Sequence, residues 1–188
     1  MRREAVVAGL GTLWLAAIVV ALAFWERYDV TAGAKAIPTP NIDSPSDRWR
    51  LQVFLHPHCP CSRATLNELR EVARATPQVS IRVWFVRPKG TPEGWERTDL
   101  WFAATDLAGV VVECDVDGVA ARQWGARTSG FAILTDPEAR IVFQGGLTRA
   151  RGRDGESPGR RAILDWVAVG DGRLETPTFG CPLFDSDE

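Results

Sequence analysis

The sequence predicts an α/β domain in which helices cover both faces of a mixed β-sheet, preceded by one N-terminal transmembrane helix. Three observations lead to this prediction. An uncharged apolar stretch occupies residues 5–25, strand-like and helix-like segments alternate from Trp49 to Cys114, and a hairpin and a final helix follow. A chain of 188 residues is long enough to form a core that needs no disulfide.

The charge balance narrows the classes of function. The formal net charge at pH 7 is -2, and charged residues make up 24% of the chain. Proteins that bind nucleic acid normally carry a basic excess, so we expect no nucleic-acid partner. Four cysteines are too few for a disulfide-stapled miniprotein.

The uncharged stretch at residues 5–25 would extend about 32 Å as a helix, which is enough to cross a bilayer. Arg2 and Arg3 precede it, so the positive-inside rule predicts a cytoplasmic N-terminus and a domain on the periplasmic or cell-surface side. A cleaved signal peptide is the alternative, but its apolar region typically has roughly 7–15 residues. We therefore expect a retained single-pass anchor over residues 1–27.

Composition also predicts the boundaries that follow the anchor. Residues 28–47 contain several prolines and few apolar residues, which is typical of an extended linker. Residues 48–170 are predicted to form the folded domain, and residues 171–188 an irregular C-terminal tail.

The first half of the domain is predicted to run strand, helix, strand. Apolar residues alternate from Arg50 to His56, which indicates a strand. Cys59 is the expected N-cap of the following helix, with Pro60 at the first helical position, where its missing N–H costs nothing. A second strand is predicted from Val79 to Val86.

The second half begins with a predicted helix from Glu93 to Ala108 and a strand from Val110 to Cys114. The apolar run of that strand is typical of burial on both faces of a sheet. The remaining predicted elements are a short helix at Val119–Trp124, a hairpin of strands at Phe131–Thr135 and Arg140–Gln144, and a closing helix at Ala162–Val169.

The strand, the Cys-Pro-Cys turn at residues 59–61 and the helix resemble the active-site corner of the thioredoxin superfamily. The stretch from Asp115 to Asp136, with the strand and Gly145-Gly146 that follow, is similar to the membrane-anchored TlpA/ResA-type branch. The form His-Pro-His-Cys-Pro-Cys-Ser resembles thioredoxin-like proteins labelled RedB. The resemblance implies a thioredoxin-like fold, redox-active cysteines, a protein thiol or disulfide as partner, and no required cofactor.

Several positions depart from the pattern of that family. Cys59 and Cys61 have one residue between them instead of two, and Ser62 takes the place of the second cysteine. Gly130 stands at the position of the family's cis-proline, and Thr65 replaces an acidic residue of the first helix. Reductase function therefore does not carry over unchanged.

One hypothesis for the cysteine turn is thiol–disulfide exchange. Unpaired N–H groups and the dipole of a helix N-terminus stabilise a thiolate, so Cys59 is the expected nucleophile. Cys61 would resolve the mixed disulfide. A ring this small departs from relaxed disulfide geometry, which would make the pair relatively oxidising.

A second hypothesis is metal binding by the same turn. His56, His58, Cys59 and Cys61 offer nitrogen and sulfur ligands that suit copper or zinc, and Gly130 would leave room for the ion. The role would then be metal delivery in the assembly of a respiratory complex. A non-catalytic thioredoxin-like module, in which these residues only pack, is the third possibility.

The other two cysteines lie at a strand end and in the tail. A Cys114–Cys181 disulfide that pins the tail is the simplest assignment. The rival is a tail that folds back so that Cys181 resolves a disulfide on Cys59. Four cysteines allow three pairings, and the sequence leaves the choice open.

Overall fold

The computed structural model of the chain describes residues 2–35 and 44–184. It contains two compact units, one ending at Thr31 and the other beginning at Ala32. Part of the predicted linker, residues 36–43, and the last four residues of the predicted tail lie outside the described residues.

The first unit is a single helix, α1 (Arg2–Asp29). Its segment Gly9–Asp29 has 21 residues with a mean hydropathy of 1.7. This helix is long and apolar enough to cross a membrane, as the sequence predicted. A signal sequence near the N-terminus would meet the same criteria of length and composition.

The second unit is a five-stranded mixed sheet covered by helices on both faces, which confirms the predicted fold class. The elements, in chain order, are β1 (Arg50–Leu55), α2 (Cys61–Ala75), β2 (Ser80–Arg87), α3 (Asp99–Thr105), β3 (Val110–Val116), α4 (Val119–Gln123), β4 (Phe131–Thr135), β5 (Ile141–Gly146) and α5 (Pro158–Val169).

The strand order across the sheet is β3-β2-β1-β4-β5, which places β1 at the centre. β1, β2 and β3 are parallel, whereas β4 and β5 are antiparallel to their neighbours. Successive side chains of β1 point to opposite faces of the sheet and enter two separate hydrophobic cores. Val53 lies in the core that residues of α2, α3 and α5 share, and Phe54 lies in the core that contains Ala121 of α4. Burial on both faces holds the carboxyl end of β1, where the cysteine turn begins, in a fixed position.

Two sequence predictions about the elements between β2 and α4 are wrong in detail. β3 was expected to be buried on both faces, but it is an edge strand, and Val111 is 50% exposed. The helix expected from Glu93 begins only at Asp99, since the preceding residues form turns in which Trp95 donates its N–H to the Pro92 carbonyl.

The C-terminal tail follows the open edge of β5 and then crosses to the cysteine turn. Gln144 of β5 donates its N–H to the Leu174 carbonyl at 2.9 Å, and Thr176 donates back to the Gln144 carbonyl at 3.2 Å. Farther along, Pro182 forms an antiparallel bridge with Thr128. The tail is therefore hydrogen-bonded to the domain at two places.

Candidate active site

The turn after β1 carries the candidate nucleophile. Cys59 donates its N–H to the His56 carbonyl at 3.1 Å, and Ser62 donates to the Cys59 carbonyl at 3.0 Å. α2 begins at Cys61 with Pro60 as its N-cap, one residue later than the sequence predicted. Cys59 thus lies immediately before the first turn of α2.

The Cys59 side chain is in contact with the tail, not with solvent. Cys59 is only 1% exposed, and its Sγ atom lies 2.6 Å from the Sγ atom of Cys181. A disulfide bond is about 2.05 Å long, and all four cysteines of the chain are free thiols. The structure therefore holds Cys59 and Cys181 as two sulfur groups in direct contact.

The surroundings of Cys59 favour its thiolate. Burial raises the pKa of this thiol, but hydrogen bonds from the Cys181 side chain and from the N–H groups of Cys181, Cys61 and Ser62 outweigh that effect. The net result is a pKa below the ordinary value of 9.0. A lowered pKa in a cysteine raises the fraction present as the nucleophilic thiolate.

The two thiols that flank Cys59 shift in the opposite direction. Burial, followed by the hydrogen bond and charge of Cys59, raises the pKa of Cys181 to about 12. Burial and the charge of Cys59 also raise the pKa of Cys61. The site is thus one stabilised thiolate between two groups that keep their protons.

Backbone pairing determines where the Cys181 sulfur lies. Ser129 donates its N–H to the Cys181 carbonyl at 2.8 Å, and Leu183 donates to the Arg127 carbonyl at 2.9 Å. Leu183 is buried, with 1% of its surface exposed. These two hydrogen bonds bracket an extended segment that delivers Cys181 to Cys59.

Close approach and one arginine strengthen this docking. A Cβ atom on Gly180 would overlap the carbonyl oxygen of Ser129, so only glycine allows the tail to lie this near. The Arg151 guanidinium donates a hydrogen bond to the Gly180 carbonyl. The residue before Cys181 is therefore held from two sides.

Ser62, which the sequence resemblance sets at the position of a second cysteine, has a structural role. It is fully buried, and its hydroxyl donates to the His56 carbonyl at 3.0 Å and lies 2.9 Å from the Ser129 hydroxyl oxygen. The His56 N–H in turn donates to the Ser129 hydroxyl oxygen at 2.9 Å. These bonds join the cysteine turn to the segment on which the tail docks.

Gly130, which the sequence resemblance sets at the position of a cis-proline, has a conformation that proline cannot adopt. Its φ is +93°, and its N–H donates to the Phe54 carbonyl at 2.8 Å. Proline has no N–H and a φ near -65°. No peptide bond in residues 2–35 and 44–184 is cis.

The two histidines pack against Trp95. The His58 N–H donates to Nδ1 of His56 at 3.2 Å, and Nε2 of His58 lies 3.1 Å from the Trp95 carbonyl oxygen. The rings of His58 and Trp95 have centroids 4.3 Å apart. Across the part of the chain that the structure describes, no three His, Cys, Asp or Glu residues form a group that could hold a metal ion. The geometry thus gives no support to copper or zinc binding at His56, His58, Cys59 and Cys61.

Cys114 lies apart from the other three cysteines, which corrects the expected Cys114–Cys181 disulfide. It belongs to the edge strand β3, whereas the Sγ atom of Cys181 lies 2.6 Å from that of Cys59, beyond the end of the central strand β1. Burial and the nearby Glu96 carboxylate raise the pKa of Cys114 to about 11. Its proton is therefore held more firmly than that of an ordinary thiol.

Sequence reasoning did not identify Ser129, Arg151 or Trp95 as parts of this site. Arg151 is one of several arginines in a glycine-rich stretch, and nothing local indicates that it contacts the tail. A usable signal exists in Gly180, which precedes Cys181 and marks a close backbone approach.

Solved structures with a fold similar to that of this chain include thioredoxin-like proteins. No family model matches the chain, and no curated protein matches it. Among solved structures, the chain is similar to a hypothetical protein from Sinorhizobium meliloti 1021, with a TM-score of 0.59 and 21% identity over 82% of this chain and 92% of that one. It is similar to an uncharacterized conserved protein from Geobacillus kaustophilus, with a TM-score of 0.60 and 21% identity over 85% and 94%.

A further match is a secreted Mycobacterium tuberculosis disulfide oxidoreductase described as homologous to E. coli DsbE. Its TM-score is 0.45 and its identity 15%, over 66% of this chain and 83% of that one. Identities at this level reflect a shared fold alone. What the site does must therefore be argued from its own sulfur atoms.

Proposed function

We propose that this protein is a membrane-anchored thiol–disulfide exchange protein of the TlpA/ResA-type branch, with Cys59 as the attacking sulfur. Its partner is a protein thiol or disulfide, and its domain works outside the cytoplasm. The observation that carries the proposal is the stabilised Cys59 thiolate in direct contact with a second cysteine, 2.6 Å away.

Exchange needs a nucleophilic thiolate and a nearby second thiol, and the site has both. The Cys59 thiolate attacks one sulfur of a partner disulfide, which breaks that bond and releases the other partner sulfur as a thiolate. A second thiol of this chain then attacks the Sγ atom of Cys59 and releases the partner's remaining sulfur. Two electrons and two protons thus pass from this chain to the partner, and the reverse steps oxidise a partner dithiol.

The apolar helix α1 supports the location part of the proposal. A retained anchor that follows Arg2 and Arg3 would leave the second unit outside the cytoplasm. Exported cysteines can persist as disulfides, whereas cytosolic reductants keep thiols reduced. A redox-active pair therefore has an oxidised form available in that compartment.

The test is disulfide exchange by the full-length chain in detergent micelles, with a cysteine-containing peptide disulfide as substrate and dithiothreitol as reductant. We expect the Cys59→Ser variant to fall to the uncatalysed rate. Cys114→Ser is the matched control, since Cys114 lies outside the site, and should keep the rate of the unaltered chain. An unchanged rate in Cys59→Ser would exclude Cys59 as the attacking sulfur, and an unaltered chain that gives only the uncatalysed rate would identify a non-catalytic module.

A further inference from the structure

The tail brings a third cysteine to a site whose sequence motif contains only two. The Sγ atom of Cys181 lies 2.6 Å from that of Cys59, although 122 positions separate the two residues. Two hydrogen bonds, from the Ser129 N–H to the Cys181 carbonyl and from the Leu183 N–H to the Arg127 carbonyl, fix the extended backbone that carries it. The approach is therefore built into the docking of the tail.

Cys61 is less well placed for the same task. It is the first residue of α2, and its thiol also interacts with Cys59 through that residue's charge and a side-chain hydrogen bond. The Arg151 charge and the Gly152 backbone also act on the Cys61 thiol, so Cys61 lies beside the loop that contains them. A Cys59–Cys61 disulfide would close a ring that is too small for relaxed disulfide geometry, whereas Cys181 reaches Cys59 from a distant segment.

We infer that Cys181, in place of Cys61, is the resolving thiol of the exchange reaction, delivered by the C-terminal tail. This inference rests on the proposed function, since it names the second thiol of that reaction. Because the tail buries Cys59, it moves aside when a partner disulfide reaches the Cys59 sulfur. Its return to Ser129 and Arg127 brings Cys181 to the mixed disulfide.

The resolving step balances without any other reactant. Cys181 loses its proton, and its sulfur attacks the Sγ atom of Cys59 in the mixed disulfide. The bond from Cys59 to the partner breaks as the Cys59–Cys181 bond forms, and the leaving partner thiolate takes a proton. The Cys59 charge that helps to hold the Cys181 proton is absent in the mixed disulfide, which favours the loss of that proton at this step.

The test follows a single reaction cycle in the reduced full-length chain in detergent micelles. Less than one equivalent of 5,5′-dithiobis(2-nitrobenzoate) is added, and intact mass spectrometry follows the aryl adduct over time. The unaltered chain and Cys61→Ser should form the adduct and then lose it. Cys181→Ser should form the adduct and lose it at least ~100-fold more slowly, since its intramolecular attack is gone.

The outcomes separate this inference from the proposed function. Rapid loss of the adduct in Cys181→Ser, or a persistent adduct in Cys61→Ser, would overturn the role of Cys181. If Cys59→Ser forms the adduct as fast as the unaltered chain, then Cys59 is not the attacking sulfur and the proposed function fails as well.

A second measurement needs no substitution, so it stands even if Cys181→Ser folds poorly. Trypsin cleaves after Arg50, Arg63 and Arg173, which leaves Cys59 and Cys61 in one peptide, 51–63, and Cys181 in another, 174–188. We expect the mildly oxidised chain to yield these two peptides joined by a disulfide. A disulfide confined within peptide 51–63 would overturn the inference.

Discussion

The Sγ atoms of Cys59 and Cys181 lie 2.6 Å apart, across the junction between the start of α2 and the C-terminal tail. The same contact lowers the pKa of one thiol and raises that of the other, since Cys181 donates a hydrogen bond to the Cys59 thiolate. The two sulfurs therefore differ in role: Cys59 is the attacking group, and Cys181 keeps its proton.

Replacing Cys181 with alanine should make Cys59 less acidic. Cys181→Ala removes the side-chain donor that stabilises the Cys59 thiolate, while the N–H groups of Cys61 and Ser62 remain. We expect the pH profile of Cys59 alkylation by iodoacetamide to move to higher pH. Cys114→Ala is the control and should not change the pH profile. An unchanged profile in Cys181→Ala would show that the hydrogen bond from Cys181 does not stabilise the Cys59 thiolate.

Loosening the tail should expose Cys59. Leu183 is 1% exposed, so Leu183→Ala removes apolar contacts that hold the tail and weakens its docking by roughly 2–5 kcal/mol. We expect faster alkylation of Cys59 at a fixed pH, measured by mass spectrometry. Leu174→Ala is the matched control, because Leu174 lies in the same tail but is 63% exposed. Equal rates in the two variants would mean that the tail does not limit access.

The sequence was sufficient to predict most of the fold, because the fold depends on local patterns. Alternating apolar residues predicted β1, and Pro60, which suits the first turn of a helix, predicted the start of α2 to within one residue. The exposure of β3 at the edge of the sheet was not predictable in this way, since the same kind of apolar run occurs in central and in edge strands. Strand order, which decides its exposure, depends on contacts far apart in the chain.

The site was predictable only as far as its local part. Cys59 beside a helix start follows from the strand, the turn and Pro60, all within one segment. The position of Cys181 depends on pairing with Arg127 and Ser129, for which the sequence offers no periodic signal. The expected Cys114–Cys181 disulfide is absent for this reason: the same pairing brings Cys181 to Cys59, and Cys114 and Cys181 are both free thiols.

The buried ion pair between α2 and α5 should matter for stability. Arg160 of α5 lies 3.0 Å from the Glu68 carboxylate, and Glu68 is buried, which raises the pKa of its carboxyl. Arg160→Ala leaves this carboxylate without its guanidinium and should lower the free energy of unfolding in urea by ~3 kcal/mol.

The control for that substitution is Arg74→Ala, which breaks an exposed pair with Glu71 and should cost less than ~1 kcal/mol. The loss in Arg160→Ala should also shrink in mildly acidic buffer, because protonation neutralises Glu68. Equal losses in the two variants would contradict a role for the buried pair.

Stability should fall at alkaline pH in a way that involves Cys114. The pKa of this thiol is about 11 in the folded chain, against an ordinary value of 9.0. Between those values the unfolded chain binds fewer protons, so the free energy of unfolding decreases as the pH rises. In urea unfolding, the free energy of unfolding of Cys114→Ala should decrease less over this pH range than that of the unaltered chain. Some decrease should remain, because the raised pKa of Cys181 has the same effect. An unaltered decrease would exclude Cys114 as a contributor.

The acidity of Cys59 in the full-length chain is the most direct test of its role as the attacking sulfur. In the Cys61→Ser variant, Cys59 is the only cysteine of the tryptic peptide 51–63, so its alkylation by iodoacetamide can be followed alone as a function of pH. We predict a half-maximal rate at a pH below 9.0, since the hydrogen bonds to Cys59 outweigh its burial. A midpoint at or above 9.0 would contradict a stabilised thiolate and, with it, the proposed exchange reaction.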